Sequence, residues 1–316
     1  MFTLPGKRIW VAGHAGMVGS AVVRALQDTG ADILTVPRDQ IDLRDQMSTR
    51  LWVRRNSPDA IVMAAATVGG IGDNQARPAD FLYDNLMIEA NIIHAAHEAS
   101  VEKLLFLGSS CIYPRDAAQP LQPESLLTAP LEPTNEAYAI AKIAGIKLCQ
   151  SYKRQYGAPF ISAMPCNLYG PGDRFDARRS HVIPALMLKM HQAKTAGAAT
   201  LELWGTGTPL REFLHVDDLA QGLIVLLRDY DAEAPVNIGS DQEVTIATLA
   251  GVMAGIVGYR GAISFNPAYP DGTPRKVLDS SVVRGLGWSP RVALAQGLEE
   301  TYRWFCDHHE QFSRAA

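Results

Sequence analysis

The chain has 316 residues, 47% hydrophobic and 20% charged, with 29 Lys and Arg against 33 Asp and Glu for a net charge of −4. That is enough chain to bury a large core, and the balance gives no basic surface for nucleic acid and no Lys/Arg block for a membrane face. The four cysteines, Cys111, Cys149, Cys166 and Cys306, lie far apart without a Cys-x-x-Cys pair, so neither a metal site nor a redox motif is expected. No uncharged apolar run approaches the length of a membrane span. Met1–Lys7 lacks the charged, apolar, small-residue order of an export signal, and four unframed thiols point the same way, to the cytoplasm.

In chain order, Arg8–Ala12 reads as a buried strand and Met17–Thr29 as a helix. Ile33–Val36, Ala60–Ala65, Lys103–Leu107 and Phe160–Pro165 read as further strands, with helices at Gln46–Asn56, Pro78–Ser100 and Ala137–Tyr156 between them. Short apolar runs separated by helices imply a parallel sheet covered on both faces. Right-handed crossovers then give a Rossmann-type, doubly wound α/β domain over residues 1–166. After Gly170-Pro171-Gly172 the rhythm changes. Helices are expected at His181–Thr195, Asp217–Arg228 and Thr245–Val257, with strands at Thr200–Trp204, Phe213–His215 and Val236–Ile238. Residues 167–316 are read as a smaller C-terminal α/β lobe for substrate, with some segments returning to the main sheet. Asp217 is expected to cap its helix, and the tail from Gln311 to Ala316 to be loose.

Gly13-His14-Ala15-Gly16-Met17-Val18-Gly19 follows the first strand and opens the first helix. Glycines at this spacing permit a tight turn, let backbone amides approach a pyrophosphate, and let helix and strand pack closely, with the phosphates at the helix N-terminus. A glycine trio alone is a weak signal; a strand, turn and helix in the required order strengthen it. Arg38 follows the second strand, where an arginine suits the 2′-phosphate of NADP and an acid the ribose of NAD. Asp39 stands beside it, so the preference for NADP(H) rests on Arg38 coming first. Asp42 and Asp45 fall where an adenine contact is expected.

Tyr138 and Lys142 are four residues apart on one helix and therefore share a face. A neighbouring cation favours phenolate and would lower the tyrosine pKa. Ser109 and Ser110 follow the fourth strand, at the sheet edge where ligands bind. Ser109, Tyr138 and Lys142 together read as a carbonyl-reducing trio.

Gly108-Ser109-Ser110-Cys111-Ile112-Tyr113-Pro114, Leu131–Asn135, Tyr138–Gly145, Asn167–Pro171, Ser180–Ala185, Arg211–Asp218 and Pro270–Lys276 resemble the motifs of the GDP-L-fucose synthase family of extended short-chain dehydrogenases/reductases. The resemblance runs from Gly13 to Trp304. It implies C3/C5 epimerisation of GDP-4-keto-6-deoxy-D-mannose followed by NADPH reduction at C4. It assigns the epimerising base and acid to Cys111 and His181, and carbonyl activation to Ser109, Tyr138 and Lys142. It implies cofactor contacts at Gly13–Gly19, Arg38, Leu107, Gly108, Ser109, Ser110, Tyr138, Lys142, Pro165, Cys166, Asn167, Leu168 and His181. Nucleotide-sugar contacts fall on Lys189, Trp204, Arg211 and Asp271, and the assembly implied is a homodimer. One position departs from the pattern. Many relatives carry a basic residue in the glycine loop where this chain has Ala15, which leaves Arg38 as the cation for the 2′-phosphate. Sister activities that make GDP-L-colitose or a 6-deoxy-heptose share the same catalytic residues. A catalytically silent NADP-binding protein is the alternative outside catalysis. A 4,6-dehydratase would need an acidic pair where Ser110 and Cys111 stand.

Overall fold

The structure is a computed structural model and describes residues 1–176, 180–269 and 271–313. Pro270 of the Pro-Asp-Gly motif and the last three residues of the tail lie outside the described residues. The chain begins with β1 (Arg8–Ala12), α1 (Met17–Gln27), β2 (Asp32–Leu34), α2 (Gln46–Asn56), β3 (Ala60–Met63), α3 (Ile71–Ala76), α4 (Pro78–Glu98), β4 (Lys103–Leu107), α5 (Glu136–Tyr156) and β5 (Phe160–Pro165). It continues through β6 (Asn167–Tyr169), α6 (Val182–Thr195), β7 (Thr200–Trp204), β8 (Leu210–His215), α7 (Val216–Asp229), β9 (Val236–Ile238), β10 (Glu243–Thr245), α8 (Ile246–Val257), β11 (Ala262–Asn266), β12 (Arg275–Lys276), α9 (Ser281–Gly285) and α10 (Leu294–Ser313).

The main sheet has the order β2-β1-β3-β4-β5-β9, and all its pairings are parallel. This is a Rossmann-like α/β fold. The residues explain the architecture. All residues of β3, β4 and β5 are buried, and all but the first of β1, as expected of strands covered on both faces. Asp45 accepts from Ser48 N and caps α2, while Gly157 ends α5 in the left-handed conformation. A second sheet is centred on β8, which pairs antiparallel with β10 and parallel with β12 and β6. β7 and β11 form a parallel pair beside it.

Two buried clusters fill the interior. The larger surrounds the main sheet and includes α7 and α9. The smaller gathers Met187, Met190, Leu203, Phe213, Met253, Leu298 and Phe305 around α6, α8 and α10. The expected cap of α7 is corrected. His215 is the N-cap, its Nδ1 accepting from Asp217 N at 3.4 Å, and Asp217 instead pairs with Arg24 of α1. The tail also differs from expectation, because α10 carries the chain in helical form to Ser313.

Asp218, the next residue, is buried. Its Oδ2 accepts from Arg291 N at 2.9 Å and Val292 N at 2.8 Å, and its carbonyl from Trp288 Nε1 at 3.1 Å. It thereby fastens the segment that leads into α10 to the main core. Asp218→Ala strands two backbone amides, and should lower unfolding stability by roughly 2–4 kcal/mol, read as a fall in the urea midpoint with an unchanged slope.

Candidate active site

The turn between β1 and α1 has a shape that only glycine permits. Gly13 sits at φ 87°, and a Cβ there would stand 2.6 Å from Ala65 N. At Gly19 a Cβ would overlap the Gly13 carbonyl. The N-cap of α1 is Gly16, with no side-chain hydrogen bond to the first-turn amides. These amides therefore face outward as donors for an anion, and the loop is a cradle that fits a dinucleotide pyrophosphate. Arg38 is exposed beyond β2, and its charge acts on Asp42. The two acids expected near the adenine already have partners within the protein. Asp42 is engaged by Arg44 at 2.8 Å, which holds its carboxyl down at about 2, and Asp45 is occupied as the α2 cap.

The strand ends bring the other predicted residues to the same edge. Leu107 and Gly108 close β4, where Gly108 N donates to Ala163 O at 2.8 Å. Ser109 caps a single turn over Ser110–Ile112, its Oγ accepting from Cys111 N at 3.3 Å. The Ser109 side chain is near enough to the Tyr138 phenol to work against the upward shift of its pKa. Pro165 ends β5, Cys166 N donates to Ile238 O at 3.0 Å, and Asn167 Nδ2 donates to Glu212 O at 3.0 Å. Leu168 is packed against the main core.

Lys142 is buried, and Nζ donates to Leu107 O at 3.0 Å. The expectation that it lowers the Tyr138 pKa is corrected. Nζ is ion-paired at 3.0 Å with Glu89 of α4, which balances its charge. Burial, with the Cys111 and Glu89 charges, pushes the Tyr138 phenol well above its usual value. The phenol is thus kept protonated, as a proton donor requires.

Cys111 lies on the same turn, its Sγ 3.6 Å from Lys276 Nζ of β12. Burial drives the other two sulfhydryls beside the sheet upward, Cys149 to about 12 and Cys166 well above its usual value. His181 is the N-cap of α6. The residue is exposed at the surface, yet enough protein crowds the ring that burial, together with the Lys276 charge, lowers its pKa. Lys276 thus touches the Cys111 sulfur, and its charge also acts on His181. The segment that carries it is held by Glu212, whose Oε2 accepts from Leu278 N at 3.1 Å and whose Oε1 accepts from Asp241 N at 2.7 Å. Burial pushes the Glu212 carboxyl up to about 7.

The four predicted sugar-nucleotide residues share one region. Lys189 Nζ is 4.7 Å from the Trp204 ring centroid, and Trp204, 57% exposed, stacks on Tyr269 at 4.6 Å. Arg211 donates to Leu210 O at 2.9 Å and to Asp271 O at 3.3 Å. The Asp271 carboxylate also clasps the Thr206 turn, accepting from Thr206 N at 2.7 Å and Thr206 Oγ1 at 2.8 Å.

Residues 9–239 match the NAD dependent epimerase/dehydratase family. The chain belongs to that family. It is 52% identical over 305 residues to a GDP-L-fucose synthase of Sinorhizobium fredii, covering 96% of this chain and 97% of the relative. A GDP-6-OMe-4-keto-L-xylo-heptose reductase from C. jejuni has a similar structure, with TM-score 0.90, 32% identity and coverage of 98% and 99%. A GDP-L-fucose synthetase from Naegleria fowleri bound to NADP has TM-score 0.89 at 26% identity, covering 98% and 97%.

Two residues of this family member's site were missed from sequence. Lys276 stood inside a quoted motif without a role. Glu89 was legible only as an acid in the apolar stripe Phe81, Ile88 and Ile92 of α4. Because Lys276 disfavours imidazolium, Lys276→Met should move the His181 titration midpoint upward toward the ordinary histidine value of about 6.5, measured by NMR of the labelled ring. An unchanged midpoint would show that Lys276 and His181 do not interact.

Proposed function

We propose that this chain is an NADP-dependent epimerase/reductase that converts GDP-4-keto-6-deoxy-D-mannose to GDP-L-fucose. The carrying observation is the grouping of Cys111, Lys276 and His181 beside Ser109, Tyr138 and Lys142, in a chain about half identical to GDP-L-fucose synthases. Residues 1–166 form the cofactor portion and residues 167–316 mainly the substrate lobe. Gly13–Gly19 cradle the pyrophosphate and Arg38 faces the 2′-phosphate. Trp204 offers a flat surface to the base, Lys189 and Arg211 neutralise the diphosphate, and Asp271 organises the adjoining turn. A homodimer built on α4 and α5 would cover Tyr83 and Ile140, which are 61% and 43% exposed.

The C4 ketone acidifies the hydrogens at C3 and C5. Cys111, as thiolate, removes a proton from the ring carbon, and the electron pair moves onto the C4 oxygen. Ser109 and Tyr138 donate hydrogen bonds to that oxygen and stabilise the enolate. His181 returns a proton from the opposite face, which inverts the centre. The two positions are inverted in turn with one oxyanion site. NADPH, when bound, supplies the hydride for C4. Tyr138 then gives its proton to the C4 oxygen, and Lys142 orients the ribose.

Solvent deuterium uptake at C3 and C5, recorded with NADP⁺ so that no reduction occurs, tests the epimerase half. The unmutated enzyme should label both carbons, and Cys111→Ser should lose most of the label while it still reduces the ketone. Exchange at the unmutated rate in that variant would reject Cys111 as the base. The cofactor assignment has its own test. Arg38→Ala should raise KM for NADPH by about tenfold to a hundredfold with little change for NADH, and equal use of both cofactors by the unmutated enzyme would refute it.

A further inference from the structure

The buried face of α4 carries a carboxylate that the reaction as described does not use. Glu89 is 2% exposed, and so is Lys142; Glu89 Oε1 lies 3.0 Å from Lys142 Nζ. Withdrawing two charges from water commonly costs more than their attraction returns, so an apolar pair would serve helix packing better. The space for the carboxylate is made by Gly145, three residues beyond Lys142 on α5. A Cβ there would stand 2.7 Å from Glu89 Oε2 and 2.5 Å from the Phe106 ring. Neither carboxylate oxygen has a well-aligned hydrogen-bond donor among the described residues, so the contact with Lys142 is an ion pair. The ammonium has three N–H groups. One reaches Leu107 O at 3.0 Å, and Glu89 balances the charge, which leaves N–H groups for a ligand. The same Nζ is 4.8 Å from the Phe106 ring centroid and 5.8 Å from that of Tyr138.

We propose that Glu89 is a positioning residue for the reduction: it clamps the Lys142 ammonium between α4 and the end of β4 and supplies the negative charge that balances it beside Tyr138. This deepens the reading above and rests on it. The titratable groups around the pair are Tyr138 and Cys149 from α5 and Cys111 from the turn after β4. Lys142 is the cation that acts on Glu89, whose own carboxyl is pushed up by burial.

The sign of the effect is fixed whichever group responds. Without the anion, an uncompensated Lys142 releases its proton more readily, and any charge it keeps favours the Tyr138 phenolate. Reduction needs both groups protonated, so activity is lost at lower pH as the pH rises.

The test is Glu89→Gln in the full-length enzyme. Reduction kcat/KM is measured across pH, and NADPH binding is measured separately by fluorescence without sugar. The basic limb of the rate profile should fall by about one pH unit or more. NADPH affinity should drop about tenfold at the alkaline end and little at the acid end. Glu89→Asp, which keeps the charge but withdraws it from Nζ, should shift both less. Superimposed profiles and equal affinities in Glu89→Gln, with only a lower melting temperature, would overturn the proposal and leave Glu89 a packing residue. If Glu89→Gln does not fold, Glu89→Asp decides: weakened NADPH binding in a folded variant supports the role, and unchanged binding rejects it. An unmutated enzyme that reduces no GDP-keto sugar would strike the functional reading, and the NADPH titration would still decide the role of Glu89.

Discussion

Parallel strands cannot be joined by tight turns, so each strand of the main sheet hands the chain to a crossover helix before the next begins. All the strands therefore end at one edge. Gly13 leaves β1, Gly108 and Ser109 leave β4, and Cys166 and Asn167 leave β5 on that side. The register β4–β5 sets Leu107 beside Ala163, which brings the Ser109–Cys111 turn next to the segment that leads into β6. The crossover helices then matter as much as the strands, because α5 runs back over this edge with Tyr138 and Lys142 in its first turns.

Charge balance governs what those side chains can do. In water Lys142 would be a strong local cation. Here it is paired with Glu89 in a dry contact between α4 and α5, and the phenol beside it stays protonated. Lys276 has the opposite part. It is half-buried, next to the Cys111 sulfur, and lowers the basicity of His181. One buried cation is neutralised and one half-buried cation is left to act, so Tyr138 and His181 sit in different electrostatic surroundings.

The second sheet is less regular than the first. β8 is its centre, joined to β6, β10 and β12, and Glu212 within it ties down the loop after β9 and the strand end that carries Lys276. Arg211 and the Thr206 turn are fastened to Asp271 by short hydrogen bonds. The pocket is therefore held together through chain segments some sixty residues apart in sequence.

The apolar runs of β1, β3, β4 and β5 determine a parallel sheet by themselves, because each is too short for a helix and too continuous for a half-exposed strand. The glycine spacing at Gly13–Gly19 and the Tyr138/Lys142 interval are also local, so the dinucleotide cradle and the reducing trio were legible, and the motif resemblance carried the reading to Cys111 and His181. The short strands β6, β10, β11 and β12 were not legible, since two to five residues acquire strand form only by pairing with distant partners. Helix α10 was overlooked although Leu294, Leu298, Thr301 and Phe305 repeat on one face. Asp217 was misassigned as a cap, and the partners of Asp42 and Asp45 were not foreseen, because a carboxylate's partner is a matter of position: Arg24 claims the first, Arg44 the second and a helix N-terminus the third. The balance of charge at Lys142 and the placing of Lys276 were decided by tertiary structure alone. Glu89 lies 53 residues from Lys142, and Lys276 lies 165 from Cys111. Only folding brings those pairs within about 3–4 Å, where electrostatic interaction outside bulk water becomes strong.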